Sequence, residues 1–162
     1  MRADLHGIRV QPSVLDRLLD DDPKEAVESR NQQMFDLRRL KQAVARDIEA
    51  LLNTRCVDPE ETLETFPQAR NSMIGFGITD LSSLSLLNPS DRAYLRDKIR
   101  QTVERHEPRL GAVRVSLDTP TDTDRTLRFR VDAFLEVLPT RPPVSFDARL
   151  QLSSNSCQVR EN

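Results

Sequence analysis

The chain has 162 residues, with 24 basic and 26 acidic side chains and a net charge of −2 at neutral pH. This length suits one hydrophobic core, and the balanced charge excludes the basic surface expected of a protein that binds nucleic acid or an anionic membrane. No apolar run approaches the roughly 20 residues of a membrane span, and the first residues lack the apolar stretch of a signal peptide, so we expect an unexported protein without direct membrane insertion.

A short amphipathic segment near the N-terminus predicts about two turns of helix. Val14, Leu15, Leu18 and Leu19 form its apolar stripe, and an acidic run with a proline at residues 20–23 ends it. A helix this short is marginal in isolation, so we expect it to gain order by docking. Docking on the protein's own core and docking in a groove of a partner protein are both open readings.

The most regular apolar pattern in the chain predicts a long helix from Asn31 to Asn53, with Ser29 or Asn31 as its cap. Its apolar residues recur every three or four positions, as in a helix that lies on a core: Met34, Leu37, Leu40, Val44, Ile48, Leu51 and Leu52. The cysteines, Cys56 and Cys157, fit no paired motif and are expected to be plain thiols.

Residues 57–89 predict an ordered loop with short helical turns, because they hold too many apolar side chains to leave in water. Gly75 and Gly77 in this loop could shape a phosphate-binding turn. A tight turn that lets apolar side chains fold inward is the favoured reading.

A second long helix is predicted to begin at Pro89, with Asn88 as its cap. Pro108 cannot continue a helix and biases the residue before it away from helical geometry, so the helix should end by His106. The buried line of this helix is expected to comprise Leu95, Ile99 and Val103.

Three segments that alternate between apolar and polar residues follow, within residues 113–117, 127–137 and 144–152, and each predicts a strand. The fold class is therefore α+β: a three-stranded antiparallel meander with the two long helices packed on one face. Residues 1–30 are predicted to be a docking segment, 31–153 the domain and 154–162 a flexible tail.

The sequence lacks the familiar catalytic and nucleotide-binding motifs, and its two histidines, His6 and His106, do not suffice for a histidine-rich metal site. No cofactor, metal or small-molecule substrate is expected. Asp132 and Glu136 share a strand face and would be the acids of a carboxylate-dependent glycosidase. Three arginines are expected near these acids: Arg128, Arg130 and Arg149. Their positive charges lower the pKa of a carboxylate, whereas a general acid needs a raised pKa. A cross-strand ladder of opposite charges is therefore the favoured reading.

The junction of the second helix with the first strand carries Glu107, Pro108 and Arg109. Residues two apart in an extended segment point the same way, so Glu107 and Arg109 should stand side by side, with Gly111 giving clearance. Such a surface pair is most often solvated and worth less than about 1 kcal/mol. The alternative is a rigid corner whose charges meet a partner protein.

Four fragments, in this order and spacing, resemble the TssE proteins of type VI secretion systems, within the gene-25-like (GPW-like) family of contractile-tail baseplate wedge proteins. They are "SVLDRLLDDDP", "LRRLKQAVARDIEALLNTR", "RNSMIGFGITDL" and "HEPRL", the last followed by the strands. The family's Glu-Pro-Arg motif falls on Glu107, Pro108 and Arg109.

The resemblance implies an α+β structural protein without catalytic activity. It implies a cytoplasmic place in a baseplate at the inner face of the cytoplasmic membrane, with other wedge subunits and the base of the sheath as partners. Glu107, Pro108 and Arg109 become interface candidates, beside the stripe of Leu15, Leu18 and Leu19. Two alternatives stay open: a lysozyme-like cell-wall glycosidase, and an assembly scaffold absent from the finished particle.

Overall fold

The alternating apolar residues build an antiparallel sheet of four strands in this computed structural model, which describes residues 10–19, 36–56, 66, 68, 72–81, 83–118, 126–151, 154 and 156–162. The strands lie in the order β1-β2-β3-β4, so consecutive strands are neighbours. The α+β class is confirmed, and the predicted number of three strands is wrong. The strands are β1 Leu110–Leu117, β2 Thr126–Leu135, β3 Pro143–Gln151 and β4 Ser156–Glu161.

The fourth strand comes from the segment predicted as a flexible tail. Cys157 and Val159 are buried, and two side chains from the first long helix bond the strand backbone. Asn53 accepts the Cys157 N–H at 2.8 Å and donates to the Cys157 carbonyl at 2.9 Å, while Glu49 accepts the Val159 N–H at 2.8 Å. These side chains satisfy backbone groups at the edge of the sheet, where unpaired groups would otherwise invite further strands.

Three α-helices occur within the described residues: α1 Val14–Leu18, α2 Leu37–Asn53 and α3 Pro89–His106. The bounds of α3 confirm the prediction, since Asn88 accepts the Ser90 N–H at 2.9 Å and the helix stops before Glu107. The first turn of α2 is capped by Asp36, whose carboxylate accepts the Arg39 N–H at 2.7 Å. Helix α2 therefore begins at Leu37 and not at Asn31; the expected caps lie outside the described residues.

The chain divides into two units, Met1–Val44 and Ala45–Asn162, and α2 runs across the boundary. In the second unit α3 packs against β1, and the buried core combines both helices with the inward face of the sheet. Its most deeply buried side chains include Ile48, Leu51, Leu95, Ile99, Val103, Val131, Leu135 and Phe146. None of the helices in the described part of the chain combines the length and apolarity needed to span a membrane.

The loop between α2 and α3 is only partly buried. Ile78 and Leu81 reach the core, as predicted. Met73 and Ile74 lie in a short 3₁₀ helix, Met73–Gly75, and are 80% and 59% exposed. Phe66 and Leu87 are also exposed, so the expectation that the loop buries its apolar residues is wrong for these four.

A bulge near the start of β1 explains how the strand meets the core. The register with β2 shifts between Gly111 and Arg114, and Ala112 adopts a φ of 53°. The extra residue lets Leu110 and Val113, three positions apart, both face inward.

Both cysteines are free thiols, as expected. Burial raises the pKa of the Cys157 thiol to about 12, and Glu49 adds to this effect. Cys157 is therefore an inert core residue at neutral pH.

Candidate functional site

The Glu107–Arg109 segment forms a tight turn that joins α3 to β1. Glu107 follows the last residue of the helix and donates its N–H to the Val103 carbonyl at 2.9 Å. The Leu110 N–H then bonds back to the Glu107 carbonyl at 3.1 Å, which closes a turn around Pro108 and Arg109. The turn, and not the extended backbone that we predicted, brings the two charged side chains together.

Glu107 accepts three hydrogen bonds from Arg109. The Arg109 Nε donates to Glu107 Oε1 at 2.7 Å, and its Nη2 donates to Glu107 Oε2. The backbone N–H of Arg109 also donates to Oε1, at 3.1 Å. This two-pronged pairing fixes the plane of the guanidinium group.

Asp47 on α2 is a partner of Arg109 that the sequence did not reveal. Its Oδ2 accepts from Arg109 Nη2 at 2.6 Å, and its Oδ1 pairs with Arg46 at 2.8 Å. Asp47 and Arg109 are 62 positions apart in the chain, and a lone aspartate on a helix carries no local signal of such a contact. The Arg109 guanidinium is thus held between two carboxylates from different elements.

The two motif side chains differ in burial. Glu107 is 4% exposed, whereas the Arg109 side chain is 27% exposed. The expectation that both point outward is therefore wrong for Glu107, which faces inward as the anchor of Arg109. Burial alone lowers the pKa of Arg109, but Glu107 and Asp47 outweigh it and raise that pKa above its ordinary value. The remaining Nη1 group makes no hydrogen bond within the described part of the chain.

Gly111 does give clearance, but to a different side chain. A Cβ added there would lie 2.0 Å from Glu136 Oε1, so the carboxylate of Glu136 rests against the glycine backbone. Glu136 also pairs with Arg141 at 2.7 Å, and its N–H donates to the Arg109 carbonyl at 2.8 Å. The backbone hydrogen bond between Glu136 and Arg109 therefore links the loop after β2 to the Glu107–Arg109 turn.

The other predicted interface residues lie on the surface. Pro108 is exposed, and on α1 the side chains of Leu15, Leu18 and Leu19 are 54%, 75% and 46% exposed. The interface role of these residues stays a prediction.

The two acids of the glycosidase alternative are not arranged as a catalytic pair. Asp132 accepts the Ser145 hydroxyl at 2.5 Å, and Glu136 pairs with Arg141. The two carboxylates thus have separate partners, and the ion pair of Glu136 with an arginine is unfavourable for a general acid. Among the described residues, no group of histidines, cysteines and acids has the makings of a metal site.

Gly75 and Gly77 line a small cavity together with Lys98 and Arg105. Its volume of about 20 Å³ suits roughly one water molecule and is too small for a phosphate group. The tight-turn reading of these glycines therefore fits the structure better than the phosphate-binding one.

His106, the last residue of α3, ties the helix to this loop. Its Nε2 lies 2.8 Å from the Gly75 carbonyl and must donate a proton to it, and the ring meets Phe76 edge-on. Burial lowers the pKa of His106, the Gly75 carbonyl partly offsets this, and Arg105 lowers it further. The neutral imidazole is therefore the form that the fold prefers.

We expect the free energy of unfolding to decrease as the pH falls below 6.5, which is the ordinary pKa of a histidine such as His106. The unfolded chain takes up the proton at a higher pH than the folded chain does, so protonation favours unfolding. Urea unfolding between pH 7.5 and 5.5, with an NMR titration of the His106 ring, measures this. His106→Gln keeps a hydrogen-bond donor but does not titrate. The free energy of unfolding of this variant should therefore change less with pH over the same range. Equal stability of the wild type across it would contradict the prediction.

Comparison with known proteins adds a single finding. A family model, GPW_gp25, described as baseplate wedge protein gp25, matches residues 38–140. No curated protein matches the chain. The matched range begins in α2, ends after β2 and contains the whole Glu107–Arg109 turn together with Asp47.

Proposed function

The chain belongs to the GPW_gp25 family of baseplate wedge proteins, and from that premise we propose that it is a structural wedge subunit of a type VI secretion baseplate. In this role it connects other wedge subunits to the base of the contractile sheath and supports assembly of the sheath. The family match over more than half of the chain carries the proposal. The type VI assignment is further supported by the resemblance of the four ordered sequence fragments.

The geometry of the Glu107–Arg109 turn supports a role as a docking point. Glu107 and Asp47 fix the Arg109 guanidinium, so little side-chain entropy is left to lose when a partner binds. The Arg109 side chain is 27% exposed and lies next to the exposed Pro108, and its Nη1 group makes no hydrogen bond within the described residues. A carboxylate or a backbone carbonyl of a neighbouring wedge subunit is the acceptor that this donor fits.

The apolar stripe of α1 is the second docking element of the proposal. Ser13 and Asp16 form a reciprocal capping box that sets the start of the helix. Leu15 and Leu18 are both more than half exposed, and an amphipathic turn of this kind fits an apolar groove of a partner. The baseplate would hold the protein in the cytoplasm, at the inner face of the cytoplasmic membrane.

Deletion of the gene for this chain, with fluorescent sheath subunits in the same cells, tests the proposal. We expect sheaths to be absent without the chain and restored by a tagged copy. The tagged copy should also remain in purified, finished baseplates, which distinguishes a wedge subunit from an assembly scaffold. Normal sheath assembly in the deletion strain, or turnover of purified peptidoglycan by the isolated protein, would reject it.

A further inference from the structure

One end of the outward sheet face is apolar. Strand pairing aligns Gly111 of β1, Phe134 of β2 and Pro143 of β3 in a single row. Phe134 is 45% exposed, and Pro143 is exposed as well. The neighbouring row of the same face instead pairs Arg114 with Asp132. The outward face therefore changes from charged to apolar at this end.

The loop after β2 adds a leucine to this end. Leu138 is 86% exposed, more than any other large apolar residue in the described part of the chain. A single exposed leucine is ordinary on a protein surface, but Leu138 follows Phe134 by four residues and precedes the exposed Pro139. We call Phe134, Leu138, Pro139 and Pro143 the apolar end of the sheet.

Backbone hydrogen bonds hold this loop in one conformation. The Leu135 N–H donates to the Pro142 carbonyl at 3.0 Å, and the Val137 N–H donates to the Leu135 carbonyl at 2.9 Å. Glu136 and Arg141 form an ion pair across the loop at 2.7 Å. A side chain carried by a fixed loop costs little conformational entropy when a partner covers it.

The apolar end is continuous with the Glu107–Arg109 turn. The Glu136 N–H donates to the Arg109 carbonyl at 2.8 Å, and Glu136 lies midway between Phe134 and Leu138 in the chain. A protein seated on the turn therefore has the apolar end as its immediate neighbour. An arginine beside aromatic and aliphatic side chains is a composition typical of interface cores.

The charges around the apolar end are matched within the chain. Glu136 pairs with Arg141, and Arg109 pairs with Glu107 and Asp47. A charged occupant would lose its hydration there without gaining a partner. The apolar end thus offers area to remove from water, and an apolar segment is the occupant that it fits.

Resting on the proposed function, we propose that the apolar end is the second half of the docking point. The wedge subunit that binds the Glu107–Arg109 turn covers Phe134 and Leu138 with apolar side chains of its own. Leu138 anchors this contact, because it is the most exposed member and is held by a fixed loop. Arg109 fixes the position of the partner, and the apolar end supplies the area that is removed from water.

Leu138→Asp tests the inference in complexes reconstituted from the co-expressed baseplate subunits. We expect an affinity about tenfold lower than that of the wild type, because the new carboxylate would be buried among apolar side chains. The melting temperature of the isolated variant should equal that of the wild type, since Leu138 is already in water.

Leu87→Asp is the matched control. Leu87 is 69% exposed and lies two residues before α3. The 18 residues of that helix span about 27 Å and place Leu87 at the opposite end of α3 from the turn. Its replacement should leave binding within about twofold. An equal loss of affinity in both leucine variants would overturn the inference.

A photoreactive benzoylphenylalanine in place of Leu138 identifies the occupant. We expect it to attach to a wedge subunit; attachment to a second copy of the chain, or to no wedge subunit, would overturn the choice of partner. A wild-type chain that joins no baseplate subunit would overturn the proposed function and this inference with it. A wild-type chain that joins the complex while Leu138→Asp joins with equal affinity would overturn the inference alone.

Discussion

Replacing Arg109 by alanine should lower the free energy of unfolding of the isolated chain by about 2 to 3 kcal/mol and stop the chain from joining the baseplate. The loss of stability follows from the burial of Glu107, which is 4% exposed and would lose the guanidinium group that donates hydrogen bonds to it. The loss of assembly follows from the removal of a guanidinium group whose side chain is 27% exposed. Urea unfolding and co-purification with the other baseplate subunits measure the two effects separately.

Two further variants separate the internal role of this pair from its role at an interface. Asp47→Asn removes one carboxylate but leaves the Glu107 pairing intact, so its loss of stability should stay within about 1 kcal/mol. Glu107→Met combined with Arg109→Met replaces the pair by apolar groups of similar length and should recover most of the stability. We expect the double variant to fold and still fail to assemble. Its assembly at the wild-type level would show that Arg109 is only an internal brace.

The helices and the first three strands were predictable because their signals are local. Asn88 and Pro89 mark the start of α3, and Pro108 forces its end near His106. Strands β2 and β3 alternate strictly between core and solvent. Each of these signals lies within a few residues of the structure that it determines.

Strand β4 escaped prediction because its order depends on distant partners. Only Cys157 and Val159 of this strand are buried. An alternation with two apolar positions is too short to distinguish a strand from a polar tail. Its outer backbone groups are bonded by Glu49 and Asn53, more than a hundred residues earlier in the chain. No window of local sequence contains that information.

Two members of the candidate site, Glu107 and Arg109, and their proximity were predictable, whereas the burial of Glu107 and the third member were not. The family resemblance identified Glu107 and Arg109 as candidates, and the structure shows that their side chains are in contact. The inward direction of Glu107 depends on the turn closed by Leu110, and the third member, Asp47, comes from α2. Both depend on how α2 and α3 are placed in the fold, which the spacing of residues along the chain does not encode.

Gly77→Ala should produce the second large effect, a loss of about 2 to 4 kcal/mol in the free energy of unfolding. Gly77 has a φ of 116°, which L side chains rarely adopt, and a Cβ there would lie 2.5 Å from the Thr54 carbonyl oxygen. That oxygen already accepts the Ile78 N–H at 2.9 Å, and the Cys56 N–H bonds the Ile78 carbonyl at 3.2 Å. An alanine must therefore push the loop away from the end of α2.

Gly111→Ala is the matched control for this substitution. Its added Cβ would also meet a close neighbour, Glu136 Oε1, but that atom ends a flexible, partly exposed side chain. The carboxylate can swing away at the expense of its ion pair with Arg141, so we expect a loss below about 1 kcal/mol. Hydrogen exchange should accelerate at the Ile78 and Cys56 amides in Gly77→Ala alone. Equal losses of stability in the two variants would mean that the backbone contact at Thr54 does not hold the loop to α2.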